Sequence, residues 1–191
     1  MKKVAIDDLV GLAGYEKIRQ DLRRRIIELK QKRRVSVGDK VSLVFENRDT
    51  VIFQVQEMLR VERITDLDKI RQEIATYNQL IPDSRELSAT LFLEIEDQTL
   101  LRDELLKFKG IEEALTLRIA RHWLPARFES CRSKEEKISA VQYVRFRFDD
   151  QALETFVSGA RTELIIDHRN YQAAVVLQPE TQRSLAGDLT T

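Results

Sequence analysis

Val37-Gly38-Asp39-Lys40-Val41-Ser42-Leu43-Val44-Phe45-Glu46-Asn47-Arg48-Asp49-Thr50 is the stretch on which the fold turns. Val37 to Lys40 carries turn chemistry, and Val41 to Phe45 is a short apolar run of the kind that forms a buried strand. Glu46 to Thr50 is polar, and Asn47 or Asp49 can cap a helix that runs to Ile64 with Val51, Val55, Met58 and Leu59 on one side. A strand that passes directly into a helix ties together whatever lies on either side of it. The first strand is therefore expected to join the sheet formed later in the chain.

Upstream, Ile18, Leu22, Ile26 and Leu29 recur at helical spacing between Tyr15 and Arg34, with basic residues on the other faces and in the last turn, where they suit the helix dipole. Downstream, Leu67, Ile70, Ile74, Tyr77 and Leu80 mark a further helix that Pro82 stops. Glu86 to Glu96 reads as a strand, and Asp97 caps a short helix through Phe108 that Gly110 can end. The pattern then becomes mainly β: Ala114 to Ala120, Trp123 to Phe128, Ile138 to Phe148, Glu163 to Asp167 and Gln172 to Leu177, with one helix inside Asp149 to Gly159. Glu129 to Lys137 reads as a mobile exposed loop, and the polar stretch beyond Pro179 as a frayed tail. The expectation is a single α+β domain over residues 1–178, helix-rich to about residue 110 and strand-rich from 111, with N-terminal helices packed on a mainly antiparallel sheet and a flexible tail over 179–191.

The chain has 191 residues, enough for a core of its own. Its 32 basic and 32 acidic residues cancel, so no global charge draws it to nucleic acid or to an acidic membrane. The charge is nevertheless separated along the chain. Residues 17–34 hold nine basic residues against Asp21 and Glu28, an excess of seven that the rest of the chain balances. Cys131 is the lone cysteine, so no intramolecular disulfide forms, and no apolar run is long enough to span a bilayer. Together with the polar start of the chain this predicts a cytoplasmic protein.

Glu46, Arg48, Asp49, Gln56, Glu57 and Arg60 form the densest cluster able to carry chemistry. On a helix Asp49, Phe53, Gln56, Arg60 and Arg63 share one sector, opposite Val51, Val55 and Met58. There Arg60 can hold a carboxylate or phosphate in a two-pronged fork, with Asp49 or Glu57 as base or counter-ion. The competing account makes Glu57–Arg60 a helix-surface pair and Glu46 or Asp49 a cap. Val141, Tyr143, Arg145 and Arg147 alternate onto one face of their strand, but nucleic-acid binding there is disfavoured by the balanced charge and the lack of a recognisable motif. His122 and His168 do not stand at metal-ligand spacing, Asp167-His168 reads as a hairpin turn rather than a dyad, and Cys131 lies near Arg127, Arg132 and Lys134, which favour a thiolate. No metal and no cofactor are expected.

The strings Arg33-Arg34-Val35-Ser36-Val37-Gly38-Asp39, Phe45-Glu46-Asn47-Arg48-Asp49-Thr50-Val51, Gln56-Glu57-Met58-Leu59-Arg60, Tyr77-Asn78-Gln79-Leu80-Ile81-Pro82, Glu86-Leu87-Ser88-Ala89-Thr90-Leu91 and Ile138-Ser139-Ala140-Val141-Gln142-Tyr143-Val144 resemble those of a bacterial family of uncharacterised proteins, domain-of-unknown-function family 3501. The likeness runs from about Lys3 to Leu177 and departs at Arg169, where the family pattern has proline after Asp-His. It implies a full-length single-domain protein and transfers no catalytic residue. It further implies genes placed beside those of rubrerythrin-like and iron–sulfur redox proteins, and so an accessory role in redox or oxidative-stress metabolism. The functional expectation is a cytoplasmic accessory protein that binds a protein partner, a redox protein among the candidates, through the polar groove or its exposed strands. The alternative is an enzyme or binding protein for a small anionic ligand at the Arg/carboxylate cluster. Self-association is left open.

Overall fold

A computed structural model describes residues 1–95, 97–129 and 139–190. Cys131, and with it the proposed thiolate, lies outside the described residues, as does most of the loop expected over Glu129 to Lys137.

Helix α1 (Leu12–Arg33) runs 22 residues and ends with Lys30, Lys32 and Arg33 in its last turn, where positive charge offsets the helix dipole. Strand β1 (Arg34–Val37) follows at once. The sequence places Arg34 in the helix and Val37 in a turn; instead Val35 and Val37 alternate inward while Arg34 and Ser36 face out, the two-residue period of a half-buried strand. Gly38 turns the chain into β2 (Val41–Glu46), which pairs with β1 from Arg34↔Val44 to Val37↔Val41. Every residue of β2 is buried, because its Val41, Leu43 and Phe45 side enters the main core while Ser42, Val44 and Glu46 occupy the other face.

Helices α2 (Arg48–Val61) and α3 (Leu67–Tyr77) come next. Asn47 is the N-cap of α2: its Oδ1 accepts from Thr50 N at 3.1 Å while Thr50 Oγ1 accepts from Asn47 N at 3.0 Å, two orphan donors satisfied reciprocally. Val51, Val55 and Leu59 pack with Ile74, Leu80, Ile81 and Val4 into a small helical core. Met58 is only half-buried, whereas Gln56 is buried.

Strand β3 (Glu86–Leu93) lies beside β2, and after helix α4 (Leu101–Lys107) come β4 (Leu115–Ile119), β5 (His122–Pro125), β6 (Arg127–Phe128), β7 (Val141–Arg147), helix α5 (Asp150–Val157), β8 (Thr162–His168) and β9 (Tyr171–Val176). The strands form two sheets, in the orders β1-β2-β3-β7-β6 and β5-β4-β8-β9, with every pairing antiparallel. The first strands thus sit in one sheet with β7, as expected. A second sheet, which hydrophobic periodicity alone does not separate from the first, closes over it. The chain passes from one sheet to the other at Ala126, which is buried between β5 and β6. Inward residues of both sheets, among them Leu43, Phe45, Leu91, Leu117, Leu124, Phe146 and Leu164, form one continuous core.

Residues 179 onward are not a frayed tail. Helix α6 (Pro179–Leu189) buries Thr181, Gln182 and Leu185, and Gln182 Nε2 donates to the carbonyls of Phe156 and Ala160 at 3.0 and 2.9 Å. Pro179 stands in the first turn, where a missing amide costs nothing and the fixed backbone angle favours helix.

The two sheets also meet at Tyr171, whose hydroxyl donates to Val37 O at 2.7 Å and accepts from Lys40 N at 3.0 Å. Gly38 lies beneath it at φ +75°, and a Cβ there would stand 2.2 Å from the Tyr171 oxygen. Gly38→Ala is expected to lower unfolding free energy by about 2–3 kcal/mol, and Tyr171→Phe by about 1 kcal/mol. In urea titrations the double variant should be less damaged than the two single losses added together, because removing the hydroxyl relieves part of the clash.

Candidate functional site

Glu46 ends β2 with its side chain under the N-terminus of α2, 3% exposed. Its carboxylate accepts from Thr50 Oγ1 at 2.5 Å and Thr90 Oγ1 at 2.7 Å. Next to it Arg33, 1% exposed at the end of α1, donates to the carbonyls of Phe45 (2.9 Å) and Glu46 (3.2 Å), to Ser184 Oγ (3.2 Å) and to the Asp188 carboxylate. Burial raises the Asp188 pKa above the ordinary aspartate value although Arg33, and then Asn47, pull it down. Arg33, Ser184 and Asp188 were not legible as partners: Arg33 reads as one more cation of a basic run, and the other two lie in a polar stretch with no pattern of its own.

The six residues singled out in the sequence do not converge. Arg48 pairs with Asp8 at 2.5 Å, in the segment before α1. Gln56 clamps the backbone of Val10, accepting from its N at 2.6 Å and donating to its O at 3.1 Å. Arg63 stands beyond the last residue of α2 at φ 52°, so the helical sector that would have carried it ends before reaching it. Asp49 alone is exposed, on a cleft between α1 and α2.

Glu57 does meet a two-pronged arginine, but from inside the molecule. Arg19 of α1 donates to its two oxygens at 2.7 and 2.8 Å, and the buried Tyr15 hydroxyl donates to Oε1 at 2.8 Å. Arg60, the residue expected to grip a ligand, is held at 3.5 Å from both Glu57 and Glu16. These contacts, with Arg19 the largest, lower the Glu57 pKa to about 2, while burial and Glu57 push the Tyr15 hydroxyl upward. The group is an α1–α2 latch. It carries no unsatisfied carboxylate to serve as a base.

The other sequence candidates are likewise structural. Arg145 is a strut that donates to Glu129 and Glu86, both at 2.6 Å, and to the carbonyl of Gln79, so it is not offered to nucleic acid. His168 is buried in the β8–β9 hairpin against Lys109 O at 2.9 Å, with Asn170 N donating to its Nδ1. Among the described residues no three His, Cys, Asp or Glu side chains gather as a metal site, and no helix is long and apolar enough to cross a membrane.

The described residues keep open surface elsewhere, including two stretches that present apolar side chains. The first is the outer face of the second sheet, where register aligns Trp123, Arg118, Glu163 and Val176 in one row. Trp123 is 58% exposed, with the Arg118 guanidinium 5.3 Å from its ring centre. The second is the α1–α2 cleft, ≈ 360 Å³, lined by Leu22, Arg25, Ile26, Leu29 and Lys32 of α1 and by Asp49 and Ile52 of α2, with Glu28 at its side.

The architecture is a two-sheet α+β fold with a helical layer whose polar cluster is internal scaffolding. The chain belongs to the family of proteins of unknown function DUF3501, whose model matches residues 3–189, α6 included. It is similar to a crystal structure described as a novel protein of unknown function from Burkholderia pseudomallei K96243, at 35% identity and a TM-score of 0.93 over 98% of this chain and 100% of that one. No curated protein matches.

The latch has a pH signature. A carboxylate whose folded pKa is lowered from 4.5 to about 2 stabilises the fold fully above the higher value, and that stabilisation is lost as pH falls toward the lower one. Glu57→Gln is expected to cost about 2 kcal/mol at pH 7, less than a fully buried pair because the site is partly solvated. Its unfolding free energy should vary less between pH 5 and pH 2 than that of the wild type, as read by chemical denaturation across that range.

Proposed function

We propose that this chain is an accessory interaction protein of the cytoplasm, one that holds a partner protein on an open surface rather than turning over a small molecule. The observation that carries this reading is the division of labour along α1. Its inward residues Tyr15, Arg19 and Arg33 are consumed in internal bonds, yet the cleft beside them keeps Leu22, Leu29 and Ile52 only half-buried among the described residues. Apolar side chains rimmed by charge on a stable scaffold favour protein contact. The reading of Asp49, Glu57 and Arg60 as a small-anion site is weakened, since Glu57 is bonded from within by Arg19 and Tyr15, while Arg60 lies 3.5 Å from Glu16 and Glu57 with its buried Nε unbonded. The family resemblance directs the search for the partner toward redox proteins.

The test is site-specific photo-crosslinking in cells that naturally carry the protein, with the crosslinker replacing Ile18 beside the cleft, Trp123 on the sheet, or Glu113 as a control. A single discrete adduct from position 18, absent at 113, is expected. Adducts from 123 alone would move the interaction to the sheet face, and equal smears or none from all three positions would overturn the reading.

A further inference from the structure

The outer face of the second sheet is graded from one edge to the other. Two rows cross its four strands, Trp123–Arg118–Glu163–Val176 and, two residues along, Pro125–Thr116–Ile165–Ala174. Each row starts on β5 with a bulky or rigid side chain and ends on β9 with a smaller one. The inner side of the same strands, Leu117, Leu124 and Leu164 among it, fills the core. Among the described residues the outer side stays open: Trp123, Pro125, Ala174 and Val176 are exposed, and Thr116 and Ile165 are half-buried. In these rows only Glu163 is buried, under Arg118 and Arg161, which both pair with its carboxylate. The solvent side of an antiparallel sheet is ordinarily polar. Here Trp123, Pro125, Ile165, Ala174 and Val176 make much of it apolar.

Charge and order within the rows select the occupant. Arg118 and Arg161 balance Glu163 and Asp167 on this face, so it favours neither an acidic nor a basic partner and does not repel a copy of itself. A second copy turned about a two-fold axis that runs along the strands, midway between β4 and β8, lays β5 over β9 and β4 over β8. Trp123 then comes down on the second copy's Val176, Arg118 on its Glu163, Pro125 on its Ala174 and Thr116 on its Ile165. The same contacts recur with the copies exchanged, as an isologous interface requires. Bulk meets a smaller side chain at both edges, and cation meets anion between them. A two-fold across the strands would instead set each strand on its own counterpart and no cation on an anion. Twisted sheets pack face to face in such an aligned manner, with strands about 30° apart. From strand spacing and rise the footprint is about 20 Å square. That is smaller than the roughly 800 Å² per partner of a standard interface, which makes the pairing reversible rather than obligate.

We propose that the outer face of the second sheet is a self-docking surface on which two copies of this chain pair reversibly, Trp123 of each on Val176 of the other and Arg118 of each over Glu163 of the other. The helical layer lies on the far side of the two-sheet core, so the pairing leaves the α1–α2 cleft free and does not depend on what that cleft holds.

The test is sedimentation velocity of the full chain at concentrations from about 1 to about 500 μM, where a monomer–dimer equilibrium with a Kd of roughly 10–100 μM is expected. Trp123→Lys and Val176→Asp should each raise that Kd at least about tenfold by placing a charge against an apolar side chain. In an equimolar mixture of the two variants the new cation at 123 meets the new anion at 176 across the axis, while the other Trp–Val contact is kept. Dimerisation should then return to within about threefold of the wild type. Within one chain the two positions stand on opposite edge strands, roughly 14 Å apart, so only contact between copies can restore it. Both side chains are exposed, and unchanged thermal unfolding will show that the variants remain folded. Independently, a photo-crosslinker replacing Trp123 should give an adduct of two chains joined near Val176. A wild type that stays monomeric throughout, a dimer that neither substitution weakens, a mixture no stronger than its components, or adducts from position 123 to other proteins alone would each overturn the proposal.

Discussion

The guanidinium of Arg33 is the point through which the helical layer, the first sheet and the C-terminal helix are joined. It reaches the carbonyls of Phe45 and Glu46 where β2 ends, and Ser184 and Asp188 on α6. A charge placed at 1% exposure is tolerable only if its donors are met, since an isolated buried ion costs several kcal/mol even after relaxation. The partners come from two separate parts of the chain, the end of β2 and α6, so meeting all of them brings three elements together at one point. That arrangement sets where α1 gives way to β1, where β2 stops and α2 begins, and how α6 lies against them.

The latch around Glu57 follows from the same placement. Once Arg33 anchors the far end of α1, the helix has one way to lie along α2, and Tyr15 and Arg19 come down on the Glu57 carboxylate. The N-terminal segment is then tied on through Gln56 to Val10 and Arg48 to Asp8. Polar residues that look catalytic as a string are, in three dimensions, separate fasteners on different sides of one helix. What they leave over is the cleft along α1 where Leu22 and Leu29 face Ile52 of α2, lined among the described residues by these two helices.

The core of the two sheets explains why such polar fastening is needed. The sheets share one apolar interior, which holds them together without directional contacts. The helical layer has a much smaller core of its own and buries polar side chains, Ser42, Glu46, Ser88 and Thr90, on the sheet face beneath it. Direction-dependent bonds therefore fix its position. The Tyr171 contact to Val37 and Lys40 does the corresponding work at the other end of β1, where the sheets approach.

Read alone, the sequence determined the local elements: the α1 periodicity, the β2 run, a helix cap at Asn47 or Asp49, the stop before Pro82, the left-handed glycine at 110 and the late strands. These are encoded by neighbours in the chain, through side-chain period, capping chemistry and backbone restriction. The sequence also placed the cluster from Glu46 to Arg60 at the junction of sheet and helices. Only the tertiary structure decided what that cluster does, because the partners of Arg33, Glu57 and Gln56 lie 42 residues away for Tyr15, 46 for Val10 and 155 for Asp188. The same holds for the division into two sheets and for the helix after Pro179. Whether a charged residue is a ligand's contact or an internal fastener depends on which distant groups fold against it, and no local pattern records that.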